Sequence, residues 1–443
     1  MKKIEAAPPV TPFWNTEELS KLIFDDTFNA VVNKVNESYL YWDKVKYLQM
    51  PTGVKPEWVW TIAKLRRKSS PFKVSFGKYT FTWLLTGRMQ ELLHLFDMNI
   101  GGTLEARSLI PKDEKNRYLI SSIMEEAIAS SQIEGAVTTR RQAKEMLRKN
   151  KNPKNKSEQM IVNNYLTIQK ILEIKNEDLT QERLLEIHRL VSGSTLDNIA
   201  DEGAFRKNND IKVVDVLDGE VVHTPPGHVE LNDLMNELFY FFNNDPKEVF
   251  VHPIIKGCII HFMIGFIHPF VDGNGRTARA LFYWFLLRKG YWLTEYMSIS
   301  RLILRSKEQY AKAFIYTETD DNDLSYFINY KLRTMRLAFD SLREYIQRKL
   351  DEKKQVTEFI KLKGINERQA LILKWLYEED SLILTVKEVE TRLAVSNQTA
   401  RADLQGLVDS KFLETLHINK KTMAFTKTDQ FEDLVKPRKE VSG

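Results

Sequence analysis

The stretch His268-Pro269-Phe270-Val271-Asp272-Gly273-Asn274-Gly275-Arg276-Thr277-Ala278-Arg279 carries one imidazole, one carboxylate, a glycine-flanked turn and two guanidinium groups. Together these groups can supply a proton acceptor, a ligand for a hard cation and partners for phosphate oxygens. A set of this kind suits the handling of a nucleoside triphosphate with a metal ion. The segments on both sides show how the chain would hold it.

Two helices are predicted to flank this stretch. Pro253–Ile267 begins with proline and is apolar almost throughout, which favours a buried helix over a strand. The helix should end near Ile267, because a residue that precedes proline disfavours the helical region. The second helix is predicted from Arg276 to Lys289, closed by Gly290. The loop between them therefore opens onto a helix N-terminus, where free N–H groups and the helix dipole favour phosphate.

The residues of the loop itself suggest their roles. Gly273-Asn274-Gly275 can adopt positive φ, so that successive backbone N–H groups converge on an anion. Asp272, just before the turn, can hold Mg²⁺ through one carboxylate while phosphate oxygens complete the shell. Arg276 and Arg279 are three residues apart and share one helix face near that end.

The whole stretch resembles the Fic family motif, His-Pro-Phe-x-Asp/Glu-Gly-Asn-Gly-Arg-x-x-Arg, at every fixed position. The resemblance implies a mainly α, Fic-type helical core and the transfer of AMP from ATP to a Ser, Thr or Tyr hydroxyl of a target protein. It implies that His268 is the general base and that Asp272 carries Mg²⁺. It also implies that Asn274 and the amides of Gly273 and Gly275 hold the α- and β-phosphates. Arg276 would contact the β-phosphate and Arg279 the γ-phosphate.

A second pattern lies upstream of the motif. Ser130-Ser131-Gln132-Ile133-Glu134-Gly135 is similar to the Fic inhibitory pattern Ser/Thr-x-x-x-Glu-Gly/Asn, and it follows a predicted helix over Asn116–Ala129. By this resemblance the inhibitory helix spans about residues 116–135, with Ser130 and Glu134 as its marked residues. Glu134 would pair with Arg279 and occupy the place of the γ-phosphate. The chain then resembles the class in which the inhibitory helix precedes the core.

A β-hairpin is predicted between the two patterns. Ile211–Val216 alternates like a strand, Leu217-Asp218-Gly219-Glu220 supplies the turn, and Val221–His223 can return. Fic proteins carry a flap here (about residues 211–223) that lays a target segment beside the site by strand pairing. The flap residue Val214 and the later Tyr310 are, by resemblance, expected near the nucleotide.

Other interpretations of the motif are weaker. Gly273-x-Gly275-x-x-Ala278 also fits a dinucleotide-binding fingerprint, with Glu295 as the ribose-binding acid, but that fingerprint needs a preceding strand. The related Doc proteins, which transfer the γ-phosphate, have lysine where this chain has Gly275. A metal cluster of histidines with Cys258 is disfavoured, because their spacing puts them on unrelated helix faces.

Composition restricts the classes of protein. At 443 residues the chain is long enough for about three domains. The single cysteine permits no intramolecular disulfide, and the polar start has no apolar segment of a signal peptide, so a cytoplasmic location is expected. No apolar run reaches the roughly twenty residues of a membrane span, so no membrane partner is expected.

Four regions are predicted. They are an N-terminal, mainly helical accessory region (1–100), the Fic core with inhibitory helix and flap (101–355), a winged helix-turn-helix domain (364–430) and a tail (431–443). In the accessory region Asn29–Gln49 has helical periodicity, and Phe72–Phe76 with Tyr79–Trp83 predicts a short hairpin. The winged helix follows a long amphipathic helix over Leu324–Lys354 and is predicted as helices Glu367–Glu378, Val386–Leu393 and Asn397–Lys411, then two short strands.

The winged helix raises the question of DNA. From Ile365 to Gln430 nine Lys and Arg stand against ten Asp and Glu, a net charge of −1, whereas DNA-binding domains are normally basic. Protein docking or dimerisation is therefore preferred for this module. The favoured function is a protein adenylyltransferase inhibited by Glu134, with ATP, Mg²⁺ and an unknown target docked on the flap. Self-modification and a homodimer are further expectations. The alternative is a nucleotide-sensing transcriptional regulator that binds DNA through the winged helix.

Overall fold

The computed structural model describes residues 4–10, 22–69, 71–101, 115–215, 219–246, 249–360, 362, 364–379, 382–419 and 422–435. The chain forms two compact units, Met1–Leu342 and Arg343–Gly443. Most of the described residues are helical, and the sheets are small, so the predicted mainly α class is confirmed. None of the helices in the described ranges combines the length and apolarity that a bilayer crossing needs.

The first unit is built on two central helices, α10 (Pro253–Ile267) and α11 (Asn274–Arg288). The two helices pack against each other through apolar side chains. In α10 every residue except Pro253 and Gly265 is buried. The continuous apolar composition of α10 thus reflects burial on all sides. The bounds predicted for α10 are confirmed, and a helix rather than a strand precedes Gly273. This arrangement contradicts the dinucleotide fingerprint, which requires a strand there.

The other helices of the first unit surround this pair. Their bounds are α1 (Asp26–Glu37), α2 (Trp42–Val45), α3 (Pro56–Lys68), α4 (Gly87–Asn99), α5 (Lys115–Ile133), α6 (Arg140–Arg148), α7 (Lys156–Ile174), α8 (Gln181–Ser192), α9 (Leu231–Asn243), α12 (Ile299–Arg305) and α13 (Lys307–Thr319). Short 3₁₀ turns occupy Ile199–Asp201, His228–Glu230 and Trp292–Tyr296. The long helix α14 spans Ser325–Ile360, somewhat beyond the predicted Leu324–Lys354.

The N-terminal layer packs on the helices that follow the motif. The predicted helix Asn29–Gln49 is broken into α1 and α2, because Tyr39 adopts a left-handed conformation (φ 49°) between them. The Tyr39 hydroxyl donates a buried hydrogen bond to the Asp323 carboxylate (2.7 Å). The residue at the break is thus also a polar contact between the N-terminal layer and the segment before α14. The predicted hairpin is confirmed as β1 (Phe72–Phe76) and β2 (Tyr79–Trp83). Residues 102–114 lie outside the described ranges, and the boundary predicted at 100/101 stays a prediction.

The predicted flap is present but shorter than its sequence suggests. β3 (Val213–Val214) pairs antiparallel with β4 (Val221–His223), and the register shifts between Val213 and Val214. Among the described residues of the strand predicted over Ile211–Val216, only Val213 and Val214 are strand residues. Residues 216–218 of the predicted turn lie outside the described ranges.

The second unit has the winged helix-turn-helix order. Its helices are α15 (Glu367–Glu378), α16 (Val386–Leu393), α17 (Asn397–Asp409) and α18 (Phe431–Val435), and its strands are β5 (Leu384–Thr385), β6 (Leu413–Asn419) and β7 (Thr422–Lys427). The three strands form one sheet in the order β5-β7-β6, so the wing has a strand that the sequence did not predict. Phe431, placed in the predicted tail, is fully buried in the core of this unit. The folded part therefore extends beyond the predicted boundary at residue 430.

Candidate active site

His268 ends α10 in a left-handed conformation (φ 49°, ψ 59°), directly before Pro269. Its Nδ1 lies 3.2 Å from the carbonyl oxygen of Gly265, which can only accept a hydrogen bond. The proton of the neutral ring therefore belongs on Nδ1, and Nε2 keeps its lone pair. Burial lowers the pKa of His268 to about 4, so the ring is neutral at pH 7 and able to accept a proton.

The loop after His268 is held by its own side chains. Asn274 accepts a hydrogen bond from the Phe270 amide (3.0 Å) and donates one to the Phe270 carbonyl (2.8 Å). Its side chain is thus used to fix the loop, and its predicted contact with phosphate stays a prediction. Gly273 has φ 83°, as expected for the turn. The helix begins at Asn274 rather than at the predicted Arg276, so Gly275 lies in the first helical turn and needs no positive φ.

His188 of α8, which the sequence did not single out, packs against the loop and is hydrogen-bonded to it. Its ring stacks on Phe270 with centroids 3.6 Å apart and planes 3° from parallel. The Gly203 amide donates to Nδ1 (3.0 Å), so the Nε2 proton is donated to the Asp272 carbonyl (2.9 Å). Burial lowers the pKa of His188 to about 4, which keeps the ring in this neutral, two-sided role. The inward spacing of Leu184, His188 and Val191 on α8 is the signal that marks it.

The two arginines of the motif lie side by side in the buried start of α11. Arg276 is 1% exposed and donates through one terminal nitrogen to the Val191 carbonyl (2.8 Å), while its Nε has no hydrogen-bond partner in the described part of the chain. Its other terminal nitrogen is 3.9 Å from the Asp272 carboxylate. A buried donor without a partner is unusual, and it is consistent with a ligand that completes the set.

Arg279 is held by the end of α5. Its Nε donates to the Ser130 hydroxyl (2.8 Å), and one terminal nitrogen donates to the Ser130 carbonyl (3.0 Å) and to a carboxylate oxygen of Glu134 (2.9 Å). The other terminal nitrogen is buried and has no hydrogen-bond partner among the residues that the structure describes. Burial alone would lower the pKa of Arg279, but the charge of Glu134 beside it raises it overall. Arg279 thus contacts both Ser130 and Glu134, which precede it in the sequence by almost 150 residues.

Glu134 also lies against Gly275. A Cβ on Gly275 would overlap the Glu134 carboxylate, and it would stand 3.2 Å from Arg279. Glycine at this position therefore lets the acidic side chain reach the arginine across the first turn of α11. Lys307 fixes the same segment from α13, donating to the carbonyls of Gln132 (2.8 Å) and Ile133 (3.2 Å) at the end of α5.

Tyr310 lies close to Arg279, but its hydroxyl has a partner in the core. It is 2.7 Å from Nε2 of His261, a fully buried residue of α10 whose Nδ1 has no hydrogen-bond partner within the described ranges. Burial raises the pKa of Tyr310 above its ordinary value, with the charges of Arg279 and Glu134 acting on it in opposite directions. Tyr310 is therefore placed between the core histidine and the arginine, and a contact with nucleotide stays a prediction.

The flap is tied to the end of α10 through a second histidine. His223 of β4 is hydrogen-bonded through Nε2 to the Phe266 carbonyl (2.7 Å) and through Nδ1 to Glu318 of α13 (2.6 Å). The strand therefore lies beside the residues that precede His268. Val214 and Val221 on the paired strands are about half exposed and present apolar groups to solvent.

Asp272 is the residue predicted to carry Mg²⁺. Its side chain is 51% exposed, and one of its oxygens accepts the Gly273 amide. Within the described ranges no group of three or more His, Cys, Asp and Glu could hold a metal alone. A single open carboxylate fits an ion that keeps several waters and takes its other ligands from substrate phosphates. The residues present therefore fit Mg²⁺ that is bound together with a nucleotide.

Comparisons with known proteins identify two matching segments of the chain. The profile of the Fic/DOC family matches residues 178–286, and that of the DeoR-like helix-turn-helix domain matches residues 368–417. The chain is similar to the protein adenylyltransferase Fic of Aedes aegypti (39% identical over 117 residues, 26% of this chain and 21% of that protein). It is also similar to the Drosophila melanogaster protein of the same name (37% over 118 residues, 27% of this chain and 22% of that one).

The chain thus spans about a fifth of the length of these relatives. A crystal structure of a Fic family protein from Desulfovibrio desulfuricans G20 has a similar fold, with a TM-score of 0.50 and 19% identity over 78% of this chain and 97% of that chain. The matched Fic segment includes His188 and the whole motif but begins after α5 and Glu134. The chain therefore contains a segment that matches the Fic/DOC family, followed by a segment that matches the DeoR-like helix-turn-helix domain.

Proposed function

We propose that the chain is a protein adenylyltransferase, which moves AMP from ATP to a Ser, Thr or Tyr hydroxyl of a target protein. The observation that carries the proposal is the neutral, buried His268, whose Nε2 keeps its lone pair and which directly precedes the loop leading to the N-terminus of α11. A protein that only senses nucleotide needs the phosphate loop but no base. The names of the similar insect proteins support the same activity.

The proposed chemistry needs one proton acceptor and one charged cradle. Nε2 of His268 takes the proton of the target hydroxyl while the hydroxyl oxygen bonds to the α-phosphorus of ATP. The bond from that phosphorus to the bridging oxygen of the β-phosphate breaks, and pyrophosphate leaves with the electron pair. The first amides of α11 and Arg276 face the charge that develops on the phosphates.

Asp272 is the proposed Mg²⁺ ligand, together with the phosphates. When bound, the ion would neutralise phosphate charge. The position of the Asp272 carboxylate depends on the backbone of the loop. The Asn274 side chain fixes that backbone, and so does the hydrogen bond from His188 to the Asp272 carbonyl. These contacts orient the carboxylate through the backbone of the loop. The loop contacts phosphates and not a base, so the choice of ATP over other nucleotides is made elsewhere.

We further propose that the resting enzyme is inhibited by Glu134. Its carboxylate pairs with Arg279, the residue that should meet the γ-phosphate, and so fills that place with negative charge. The Glu134 side chain is 28% exposed, whereas Arg279 is 3% exposed, so the acid can leave while the arginine stays in place. The flap offers the free edge and apolar side chains for the target segment.

The test uses ATP labelled at the α- or the γ-phosphate, with Mg²⁺ and cell extract as a source of targets. We expect transfer of the α label alone, raised at least about tenfold in Glu134→Gly, which corresponds to about 1.4 kcal/mol. His268→Ala in that background should abolish transfer, while His252→Ala, at the other end of α10, should leave it intact. Self-modification would appear in the same assay.

Each contrary result has a meaning. Transfer of the γ label would indicate kinase chemistry. No transfer from either label, although ATP binds to Glu134→Gly, would favour a nucleotide sensor. The DeoR-like match supports this second candidate, a regulator that binds DNA through the exposed start of α17 (Asn397, Gln398 and Arg401). A sequence-selective shift of duplex DNA that Arg401→Ala removes would support it.

A further inference from the structure

The positive charge of the chain is concentrated in one segment. Residues 140–156 contain eight Lys and Arg and one Glu, a net charge of +7, whereas the whole chain carries +5. The rest of the chain is therefore slightly acidic. The eight cations are Arg140, Arg141, Lys144, Arg148, Lys149, Lys151, Lys154 and Lys156. We call them the basic surface.

The basic surface is displayed by a well-packed helix. α6 buries Ala143 and Met146 against Ile128 of α5 and Ile161 of α7, and its N-terminus is capped by Thr139. The helix is therefore fixed on one side and charged on the other. Its cations at positions 140, 144 and 148 follow each other by one turn, a rise of about 6 Å per step.

Only part of this charge is neutralised within the protein. Glu125 of α5 pairs with Arg140 and Lys144, and Glu145 pairs with Lys149 and Lys151 (3.0 Å each). In the part of the chain that the structure describes, Arg141, Arg148, Lys154 and Lys156 form no ion pair, and all four are exposed. These four residues keep their donors available to an external anion.

Helix α12 adds further positive charge near the basic surface. Arg301 of α12 lies near Glu125, and its pKa is lowered first by burial and then, against the effect of Glu125, by the charges of Arg140 and Arg305. Glu125 thus pairs with two cations of α6, and its charge also acts on Arg301 of α12. Burial alone would raise the pKa of Glu125, but hydrogen bonds from Arg140 and Lys144 hold it below its ordinary value. One carboxylate does not balance this group.

The composition of the surface distinguishes between partners. Protein interfaces have an apolar centre and are depleted in lysine, whereas nucleic acid interfaces are polar and strongly positive. Within residues 140–156 the described chain has no exposed large apolar side chain, and the nearest ones in sequence are Val137 and Leu166. We propose that the basic surface binds the phosphate backbone of a nucleic acid, at a place distinct from the Fic loop and from the helix-turn-helix domain. This inference does not depend on the proposed transferase activity.

The test measures binding of the full chain to a labelled, mixed-sequence DNA duplex by fluorescence anisotropy, between about 50 and 200 mM salt. The variant Arg141→Glu/Arg148→Glu changes two exposed residues without ion pairs, so folding should be retained, and its melting temperature is checked. We expect at least a tenfold loss of affinity and a salt dependence less steep by about two in log–log slope. Lys154→Glu/Lys156→Glu should act in the same direction.

Two controls separate this surface from other causes. Lys73→Glu/Arg88→Glu changes net charge equally at exposed positions on β1 and α4, and should leave binding within about twofold. Arg401→Ala tests the helix-turn-helix. The proposal is overturned if the parent does not bind DNA, if the charge control loses as much as the test variant, or if only Arg401→Ala loses binding. Binding to poly-glutamate in preference to DNA would also overturn it and would identify an acidic protein as the partner.

Discussion

The carboxylate of Glu134 lies directly over Gly275, and there is no room for a Cβ between them. Adding a methyl group at Gly275 should therefore push Glu134 away from Arg279, since the end of a glutamate side chain moves more easily than helix backbone. We expect Gly275→Ala to raise ATP-dependent self-labelling by up to about tenfold, or about 1.4 kcal/mol. The measurement is α-label incorporation at a fixed ATP concentration.

The same substitution in Glu134→Gly provides the control. With the carboxylate already gone, the methyl group has nothing to displace, and its remaining effect is a slight obstruction of the phosphate loop. Activation by Gly275→Ala should therefore vanish or reverse in the double variant, a non-additive result expected of residues in contact. Equal activation in both backgrounds would show that the overlap with Glu134 is not the cause.

Activity should depend little on pH near neutrality. The pKa of His268 is lowered to about 4 by burial, so its base form is present throughout the range above that value. Glu134 acts in the opposite direction and raises this pKa, so Glu134→Gly lowers it further. For that variant we expect kcat/KM to be flat from about pH 8 to about pH 5.5. A base with the ordinary histidine pKa of about 6.5 would lose about tenfold over the lower part of that range.

An inflection near pH 6.5 in kcat/KM would contradict this expectation. A useful reference is the pH dependence of ATP binding to His268→Ala/Glu134→Gly, measured without turnover. If binding itself changes near pH 6.5, the inflection belongs to another group. If binding is flat and the rate is not, His268 titrates at its ordinary value, and its burial is relieved in the active state.

His188 should make stability depend on pH. Its pKa is lowered to about 4 in the folded chain, so the unfolded chain binds a proton that the folded chain refuses between about pH 6.5 and 4. Stability is therefore fully present above about pH 6.5 and falls as pH decreases, at roughly 1.4 kcal/mol per pH unit for each such group. Urea unfolding followed at several pH values measures this slope.

The variant His188→Phe separates the hydrogen bonds from the stacking. Phenylalanine can keep the contact with Phe270 but leaves the Gly203 amide and the Asp272 carbonyl without a partner. We expect a loss of about 2–3 kcal/mol at pH 7 and a shallower decline towards acid pH. The exposed His94→Phe should change neither. An unchanged pH slope in His188→Phe would mean that another group causes the acid sensitivity.

The sequence predicted best those structural features that depend on residues close together along the chain. Helix α10, its end at His268 and the positive φ of Gly273 follow from proline, glycine and apolar runs within one segment. His188 was missed because its contact with Asp272 joins residues 84 positions apart, and His223 because Glu318 is 95 positions away. Such contacts depend on how helices pack, and periodicity within one helix indicates only which face is buried.

The contact between Glu134 and Arg279 is also long-range, yet the family resemblance indicated it where local physics did not. The resemblance was less informative about side chains that serve the fold. It implied a phosphate contact for Asn274, whose side chain is engaged by Phe270, and a place near the nucleotide for Tyr310, whose hydroxyl is engaged by His261. The identity of a residue in a family motif does not show whether its side chain binds the nucleotide or stabilises the fold.

Tyr310 is the clearest position at which to separate them. Removing its hydroxyl leaves Nε2 of His261 without a partner in a ring whose Nδ1 already has none. For Tyr310→Phe we therefore expect a loss of about 1–2 kcal/mol in unfolding free energy. His261→Phe/Tyr310→Phe should cost less than the sum of the single variants, because each alone breaks the same bond. In the Glu134→Gly background the KM for ATP should stay within about twofold of its value with Tyr310. A large rise in KM with no loss of stability would assign the hydroxyl to the nucleotide instead of to His261.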